Sequence, residues 1–467
     1  MSSRDERRQR KIPHGSYRRE EVVNPLETVE VPSSSSARTE ERSCQHETEL
    51  MELMERVVSR PNMMDAYGQV LRNKGAAGID GMRVQDLKPY LQENWGRIKQ
   101  ELLTGSYKPR PVRRVEIPKP DGGVRLLGIP TVLDRLIQQA LHQTLNIIFD
   151  PGFSENSYGF RKGRSAKQGV LKAREYIQEG FRYVVDMDLA KFFDRVNHDM
   201  LMSRVARKVA DKRVLHLVRA YLEAGVMIGG LFEKTEEGTP QGGPLSPLLA
   251  NIMLDDLDKE LEKRGHRFVR YADDCNIYVK SKRAGERVME GVRRFVEGKL
   301  KLRVNDEKSA VDRPWKRKFL GFSFTNRKEP RIRVAPKTLT RFKAKVRELT
   351  SRSKSMSLAT RIRRLNEYLK GWMGYFKLAE TPSVFEKLDG WIRRRLRMCL
   401  LKQWKKPKTR RRELMARGIP YEWAVNISGS RKGYWRLART PQLSKALGIQ
   451  YFESQGLFSL SSVLSTG

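Results

Sequence analysis

Tyr271-Ala272-Asp273-Asp274 places two adjacent carboxylates between two apolar-rich segments, Arg267-Phe268-Val269-Arg270 and Asn276-Ile277-Tyr278-Val279. The flanking residue types are typical of short strands, so the pattern predicts a β-hairpin with the acids at its tip. Two carboxylates at a tight turn repel each other, and a divalent cation such as Mg²⁺, which prefers hard oxygen ligands, relieves that repulsion. Paired aspartates are also common on protein surfaces, so the dipeptide alone is a weak signal.

A second short apolar segment also ends in acids. Tyr183-Val184-Val185-Asp186-Met187-Asp188 predicts a buried strand. If this strand and the hairpin are neighbours in one antiparallel sheet, their carboxylates converge and could hold two metal ions for an in-line phosphoryl displacement. Asp186 and Asp188 lie on the same strand face, so the residues alone do not choose between them. A solvent-exposed acid at a strand end is the plainer alternative.

The charge of the chain favours a polyanionic partner. Its 467 residues carry a formal net charge of +38, and residues 331–410 hold 24 Lys/Arg against 5 Asp/Glu, which is half of the surplus. Nucleic acid is the favoured partner, and no membrane partner is expected because no apolar run approaches the roughly 20 residues of a span.

Three scattered cysteines argue against a zinc knuckle or a disulfide scaffold. The N-terminus lacks the apolar core of a secretory signal, which favours a cytoplasmic location.

The periodicity predicts an α+β chain with antiparallel strands in its middle and a basic helical region after Pro336, up to about residue 406. Residues 1–47 are polar and predicted to be disordered. Helices are predicted at 85–104, 133–149 and 199–223, and strands at 112–117, 124–127 and 267–280. The loop Gly238-Thr239-Pro240-Gln241-Gly242-Gly243-Pro244 should prevent a helix before Leu248.

Further motifs accompany the two acidic segments. Ile117-Pro118-Lys119-Pro120-Asp121-Gly122-Gly123-Val124-Arg125 places cations beside a tight turn, and Arg suits bidentate phosphate contacts. Asp188-Leu189-Ala190-Lys191-Phe192-Phe193-Asp194 follows the buried strand. The other blocks are the glycine-rich loop 73–81, Ser157-Tyr158-Gly159-Phe160-Arg161, Asn305-Asp306-Glu307-Lys308-Ser309, Phe319-Leu320-Gly321-Phe322, Leu365-Asn366-Glu367-Tyr368-Leu369-Lys370-Gly371-Trp372 and Arg393-Arg394-Arg395-Leu396-Arg397.

In this order the motifs resemble those of group II intron reverse transcriptases/maturases of the bacterial IIC-like type, from about residue 73 to about residue 397. The resemblance implies a right-hand polymerase with fingers, an antiparallel-sheet palm and a helical thumb. The expected domains are an extension at 1–47, a helical extension with the family's motif 0 loop at 48–105, fingers at 106–180, palm at 181–335, thumb/maturase at 336–406 and a small basic DNA-binding-like region at 407–467. The family's C-terminal endonuclease is not expected, because no His follows His266 and only Cys399 follows Cys275.

The resemblance also implies roles for individual residues, and it selects Asp188 over Asp186. Asp188, Asp273 and Asp274 are the implied catalytic residues, and the implied ligands of two Mg²⁺ ions are Asp188, Leu189 and Asp273. Contacts to the incoming dNTP are implied for Lys119, Arg125, Phe193, Gln241 and Lys308. Phe193 would be the steric gate that excludes a ribose hydroxyl, although a core aromatic is the alternative. The thumb residues expected to bind RNA are Arg361, Arg363, Arg364, Lys370, Arg393, Arg394 and Arg397, unless these cations are only solvated helix surface.

The expected function is RNA-directed DNA synthesis from a DNA primer on an RNA template. The chain would also bind group II intron RNA as a maturase, promote splicing and take part in retrohoming into target DNA. Two alternatives remain: a splicing cofactor with a silent polymerase, and a domesticated relative acting in DNA repair or phage defence. The complete set of acidic and nucleotide-contacting residues argues against a silent polymerase.

Overall fold

A four-stranded antiparallel sheet in the order β6-β7-β3-β8 lies at the centre of the fold. Its strands are β3 (Tyr183–Met187), β6 (Arg267–Tyr271), β7 (Asp274–Val279) and β8 (Ala310–Asp312). β-Branched and aromatic residues dominate these strands, as expected for a pleated surface covered on both faces. The computed structural model describes residues 52–118, 122–228, 231–233, 237–238 and 242–465, so the predicted disorder at 1–47 lies outside the described residues.

A second four-stranded sheet, in the order β2-β1-β4-β5, contains the predicted hairpin of the 117–125 motif. Its strands are β1 (Val112–Pro118), β2 (Val124–Ile129), β4 (Val226–Ile228) and β5 (Leu231–Glu233). β1 and β2 are antiparallel, with Ile117 opposite Arg125. A separate two-stranded ribbon is formed by β9 (Phe322–Phe324) and β10 (Ile332–Val334). The predicted fold class, α+β with antiparallel strands, is confirmed.

Helices surround the two sheets and make up nearly all of the C-terminal third. Those before β6 are α1 (Leu53–Val57), α2 (Arg60–Asn73), α3 (Leu87–Thr104), α4 (Val132–Phe149), α5 (Ala166–Gln178), α6 (Phe192–Arg195), α7 (His198–Val205), α8 (Lys212–Glu223) and α9 (Ser246–Lys263), with 3₁₀ turns at Val84–Asp86 and Asp150–Gly152. Those after β7 are α10 (Lys282–Lys299), α11 (Pro336–Leu349), α12 (Leu358–Phe376), α13 (Pro382–Gln403), α14 (Pro407–Met415), α15 (Tyr421–Gly429), α16 (Tyr434–Leu437), α17 (Pro441–Ala446), α18 (Ile449–Ser454) and α19 (Ser462–Ser465).

Two helix boundaries differ from the sequence prediction. The region 199–223 is not one helix: it is divided between α7 and α8, and Asp211 caps α8 by accepting from the Arg213 N–H. The helix expected only from Leu248 begins at Ser246, because Pro247 lies in its first turn, where a missing N–H costs nothing. The helices predicted after Pro336 are confirmed as α11, α12 and α13.

The buried side chains form two hydrophobic clusters. One joins α1–α4 to α7–α9 and one face of the central sheet, and the other runs from Tyr158 and Val184 through β9, β10 and α11–α13 into the C-terminal tail. Buried Asp389 on α13 holds that tail by accepting from the N–H groups of Leu460 and Ser461, each at 2.9 Å. Helices α11–α13 and the tail therefore share one core.

Candidate active site and nucleic-acid surface

The β6–β7 hairpin ends at the pair Tyr271 and Asp274, so Ala272 and Asp273 form a two-residue turn. Ala272 has φ +56°, a left-handed conformation that is uncommon for a residue with a Cβ. The predicted hairpin with acids at its tip is therefore confirmed. Its turn has a conformation that needs support from neighbouring residues.

Arg270 provides that support from beneath the turn. Its guanidinium is fully buried and donates to both oxygens of the Asp258 carboxylate, at 2.7 and 2.5 Å. It also donates to the Ala272 carbonyl and to Asn251 Oδ1, both at 3.0 Å, and to Ser157 Oγ at 2.8 Å. The buried network thus connects the acidic turn to helix α9 and to the 157–161 motif.

Gly159 of that motif packs directly against the turn. A Cβ at Gly159 would lie 2.4 Å from the Ala272 nitrogen, closer than any side chain can approach. The Asn251 side chain donates to the Gly159 carbonyl at 2.8 Å, and the Tyr158 N–H donates to the Arg270 carbonyl at 2.9 Å. Sequence reasoning assigned this motif to the fingers and missed its contact with the hairpin.

Asp188 directly follows β3. The last β3–β7 pair is Met187 with Cys275, and the strands are antiparallel, so Asp188 lies next to Asp274, the first residue of β7. The Asp188 N–H donates to Ser309 Oγ at 3.0 Å, so the hydroxyl group of the 305–309 motif binds the main chain at Asp188. Asn305 Nδ2 donates to Asp188 Oδ2 at 3.1 Å, and Lys308 Nζ lies 3.4 Å from the same oxygen. Lys308, expected to contact nucleotide, is therefore paired with Asp188 in this structure.

Asp186 has a different environment from Asp188. Arg317 Nη2 lies 2.6 Å from the Asp186 carboxylate and Arg317 Nε donates to it at 2.7 Å. Burial raises the Asp186 pKa and the Arg317 charge opposes this effect. Asp186 therefore forms an ion pair within the protein, with Arg317. Arg317 was not among the residues predicted from the sequence to belong to the site.

The hairpin carboxylates repel one another. Desolvation by the surrounding protein raises the pKa of Asp274 to about 7, and Asp273, Asp186 and Asp188 act in the same direction. The pKa of Asp273 is also raised by burial and by Asp188, while Arg125 and Lys308 oppose the rise. The donor set is thus rich in hard oxygens, and the neighbouring cations offset the repulsion between the carboxylates only in part. Among the described residues, no three His, Cys, Asp or Glu side chains lie close enough together to hold an ion as they stand.

A cleft of about 670 Å³ lies between β2 and the segment after Asp188. Phe193 lines it together with Leu126, Leu127 and Gly128, and its ring packs edge-on against buried Phe192 at 5.1 Å. The basic side chains that line the cleft are Arg114, Lys191, Arg195, Lys301 and Arg303.

The other residues expected at the nucleotide are placed only in part. Arg125 is exposed on β2 and near enough to Asp273 to lower its pKa. Lys119 and Gln241 lie outside the described residues. Gly238, in the same loop as Gln241, has φ +93°, and a Cβ there would lie 2.7 Å from the Phe193 carbonyl. The 238–244 loop therefore begins in contact with the segment that carries Phe193.

The thumb cations expected to bind RNA divide into two groups. Arg363, Arg364 and Lys370 are exposed on α12, and Arg393 and Arg394 are partly exposed on α13. Arg361 and Arg397 are buried, which corrects the expectation that they belong to a basic surface.

The two buried arginines donate to main-chain carbonyls. The Arg361 guanidinium donates to the carbonyls of Leu349, Ser351 and Lys354, and so closes the loop between α11 and α12. Arg397 donates to the Ala438 and Leu447 carbonyls of the tail, and burial lowers its pKa to about 10. Both therefore stabilise the fold of this region.

Two family models match the chain in the regions just described. Residues 117–324 match the reverse transcriptase (RNA-dependent DNA polymerase) model, and residues 339–418 match the group II intron, maturase-specific domain. The fold is therefore that of a reverse transcriptase. Reverse transcriptases generally use divalent metal ions, and a maturase-specific domain implies binding of intron RNA.

Curated relatives agree with these matches. Protein YkfC of Escherichia coli is 34% identical over 297 residues, which cover 55% of this chain and 78% of that protein. Group II intron-encoded protein LtrA of Lactococcus lactis is 31% identical over 342 residues, 59% of this chain and 57% of LtrA. The putative COX1/OXI3 intron 1 protein of Saccharomyces cerevisiae is 33% identical over 234 residues, 50% of this chain and 25% of that protein. The chain belongs to the group II intron reverse transcriptase/maturase family, whose polymerases are RNA-directed DNA polymerases.

Within the described part of the chain, no helix has both the length and the apolar character needed to cross a bilayer.

Proposed function

We propose that this chain extends a DNA primer on an RNA template and binds group II intron RNA as a maturase, promoting splicing and retrohoming into target DNA. The observation that carries the proposal is the position of Asp188, Asp273 and Asp274 at neighbouring strand ends, beside a basic cleft. The same chain continues into a maturase-specific domain.

In this proposal Asp188, Asp273 and the main-chain carbonyl of Leu189 hold two Mg²⁺ ions, and Asp274 completes the acidic cluster. The fit rests on donor chemistry, because these are hard oxygen ligands and their mutual repulsion is relieved by cations. When bound, such ions lower the pKa of the primer 3′-hydroxyl and neutralise charge on the triphosphate. Asn305 and Ser309 keep Asp188 in position.

The incoming dNTP lies in the basic cleft in this proposal. Arg125 and Lys119 of the β1–β2 hairpin contact the triphosphate, Gln241 lies beside the nucleotide, and Lys308 exchanges its contact with Asp188 for one with phosphate. Phe193 lies under the sugar and excludes a 2′-hydroxyl by steric overlap. Fixed cations beside the reacting phosphoryl group stabilise the charge that develops there.

The maturase function is assigned to the exposed thumb cations. Arg363, Arg364, Lys370, Arg393 and Arg394 contact intron RNA phosphates, and Arg361 and Arg397 hold the fold that presents them. Because phosphate contacts dominate affinity, binding should weaken steeply with salt.

The test is primer extension by the purified full-length chain with an RNA template, a DNA primer, dNTPs and Mg²⁺. The Asp273→Asn variant should make no cDNA while binding RNA as tightly as wild type, because a metal ligand acts on the transition state and not on template phosphates. Asp65→Asn, an exposed change on α2, is the matched control and should retain full activity. Full-length cDNA from Asp273→Asn would overturn the assignment.

A further inference from the structure

A second basic cleft lies on the thumb, apart from the polymerase site. It encloses about 550 Å³ between the end of α11, helix α13 and helix α16. Its principal lining residues are Arg347, Arg352, Trp391, Arg395, Met398 and Trp435. This volume falls within the roughly 300–1,000 Å³ of pockets that enclose a drug-sized ligand. A single nucleotide is of that size class.

The charge in this thumb cleft is uncompensated. Three guanidiniums line it without any lining carboxylate. None of Arg347, Arg352 and Arg395 forms an ion pair with another residue that the structure describes. Burial lowers the pKa of Arg395, and the neighbouring Arg347 and Arg352 act in the same direction. A protein that holds like charges together in this way gains stability when an anion binds among them.

The two indole rings of the thumb cleft are held in place by arginines. The Trp391 ring lies 5.7 Å from the Arg347 guanidinium and 6.0 Å from that of Arg395. The Trp435 ring lies 3.8 Å from the Arg394 guanidinium, which also donates to the Trp435 carbonyl at 2.9 Å.

Arg395 is itself anchored, since it donates to the Thr350 hydroxyl at 2.9 Å and to the Thr350 carbonyl at 3.1 Å. Arg395 and the two rings therefore have contacts within the protein before any ligand binds, which reduces the entropy cost of binding.

We propose that the thumb cleft binds one unpaired nucleotide of the intron RNA, with its base against Trp391 and Trp435 and its phosphate at Arg347 and Arg352. Proteins recognise RNA at bulges and loops by stacking splayed-out bases on aromatic rings and guanidinium planes, and this cleft offers both beside a phosphate site. An acidic peptide would use the cations but not the indoles. The inference rests on the proposed maturase function and adds the feature of the RNA that the thumb selects.

The test compares two RNA hairpins bound to the full-length chain, one fully paired and one with a single bulged fluorescent adenine analogue. Wild type should bind the bulged hairpin more tightly by roughly 5- to 150-fold, the range expected for stacking one base. The fluorescence of the analogue should be quenched on binding. A DNA hairpin with the same bulge serves as the comparison for sugar type.

Variants separate the two halves of the cleft. Trp391→Leu should abolish the preference and the quenching, and Trp391→Phe should retain part of both because an aromatic face remains. Arg352→Gln removes an exposed cation with little risk to folding and should weaken binding of the bulged hairpin more than of the paired one. Arg294→Gln, an exposed cation on α10, is the charge-matched control and should leave the preference unchanged.

Equal affinity of wild type for bulged and paired RNA would overturn the inference, as would a preference that survives both Trp391→Leu and Arg352→Gln. A stronger preference for the DNA bulge would overturn the assignment to intron RNA. These outcomes leave primer extension intact, whereas failure of the proposed function would appear as wild-type protein that neither makes cDNA nor binds either hairpin.

Discussion

Arg270 and Asp258 form a completely buried ion pair, and the same guanidinium donates to the carbonyl of Ala272, two residues further along the chain. The pair therefore connects helix α9 to the turn that carries Asp273. Burying two charges costs several kcal/mol per ion before they attract each other, so such a pair is weak evidence for stability alone. Its contact with the acidic turn indicates a positioning role.

Arg270→Lys should reduce primer extension and raise the Mg²⁺ concentration needed for half-maximal rate. A lysine keeps the charge but cannot bond both Asp258 oxygens and the Ala272 carbonyl at once, so the turn loses its fixed position. The measurement is a Mg²⁺ titration of the extension rate, together with denaturant unfolding.

The matched control is Arg204→Lys, which weakens another largely buried pair, with Asp256, on α7 and α9. That variant should lose stability without any change in Mg²⁺ requirement. If both variants unfold earlier and both keep the wild-type Mg²⁺ requirement, Arg270 has only a structural role.

Gly159→Ala should lower the extension rate on the order of 100-fold, because a displacement of about 1 Å at a catalytic group has effects of that size. The backbone of Gly159 does not have positive φ, so the added methyl group acts through its contact with the Ala272 nitrogen. Steady-state extension rates and circular dichroism would measure the two effects separately.

Gly68→Ala is the control for this glycine. Gly68 lies within α2, and nothing lies within 4 Å of a Cβ placed there. Alanine should stabilise the protein by about 0.5–1 kcal/mol and leave the rate unchanged, since glycine within a helix is unfavourable. A wild-type rate for Gly159→Ala would mean that the turn tolerates the displacement.

The sequence was sufficient to predict the hairpin and the strand that Asp188 follows, because a two-residue period and local turn chemistry encode both. It was not sufficient for the network beneath the turn. Asp258 and Asn251 lie 12 and 19 residues before Arg270, and Ser157 lies 113 residues before it. Likewise, charge along α12 and α13 does not reveal that the loop between α11 and α12 covers Arg361 or that the tail covers Arg397, so neither could be distinguished from a surface cation.

Phe193→Ala should allow ribonucleotides to be incorporated, because the ring that lines the cleft would no longer overlap a 2′-hydroxyl. Single-nucleotide extension with matched dNTP and rNTP measures the preference directly. Phe192→Ala is the contrasting variant: its ring is buried, so it should lower the free energy of unfolding by about 3–5 kcal/mol without a specific change in sugar preference. An unaltered dNTP preference in Phe193→Ala would make Phe193 a packing residue.

The last prediction separates RNA contact from fold support on the thumb. Changing Arg363, Arg364 and Lys370 together to Gln should weaken intron-RNA binding and flatten its salt dependence by roughly two to three in slope, about one for each lost phosphate contact. Arg397→Gln should instead lower the free energy of unfolding by about 1–3 kcal/mol, because the Ala438 and Leu447 carbonyls lose a buried donor.

Filter binding over a range of salt concentrations would measure the RNA affinity, and denaturant unfolding would measure the stability. Short-template extension at saturating primer-template should be nearly normal in the triple variant, because the carboxylate site is untouched. The exposed cations of α12 are solvated surface, and not an RNA contact, if the triple variant binds intron RNA with wild-type affinity and salt slope. If Arg397→Gln has wild-type stability and a flattened salt dependence of RNA binding, Arg397 contacts RNA and does not stabilise the fold.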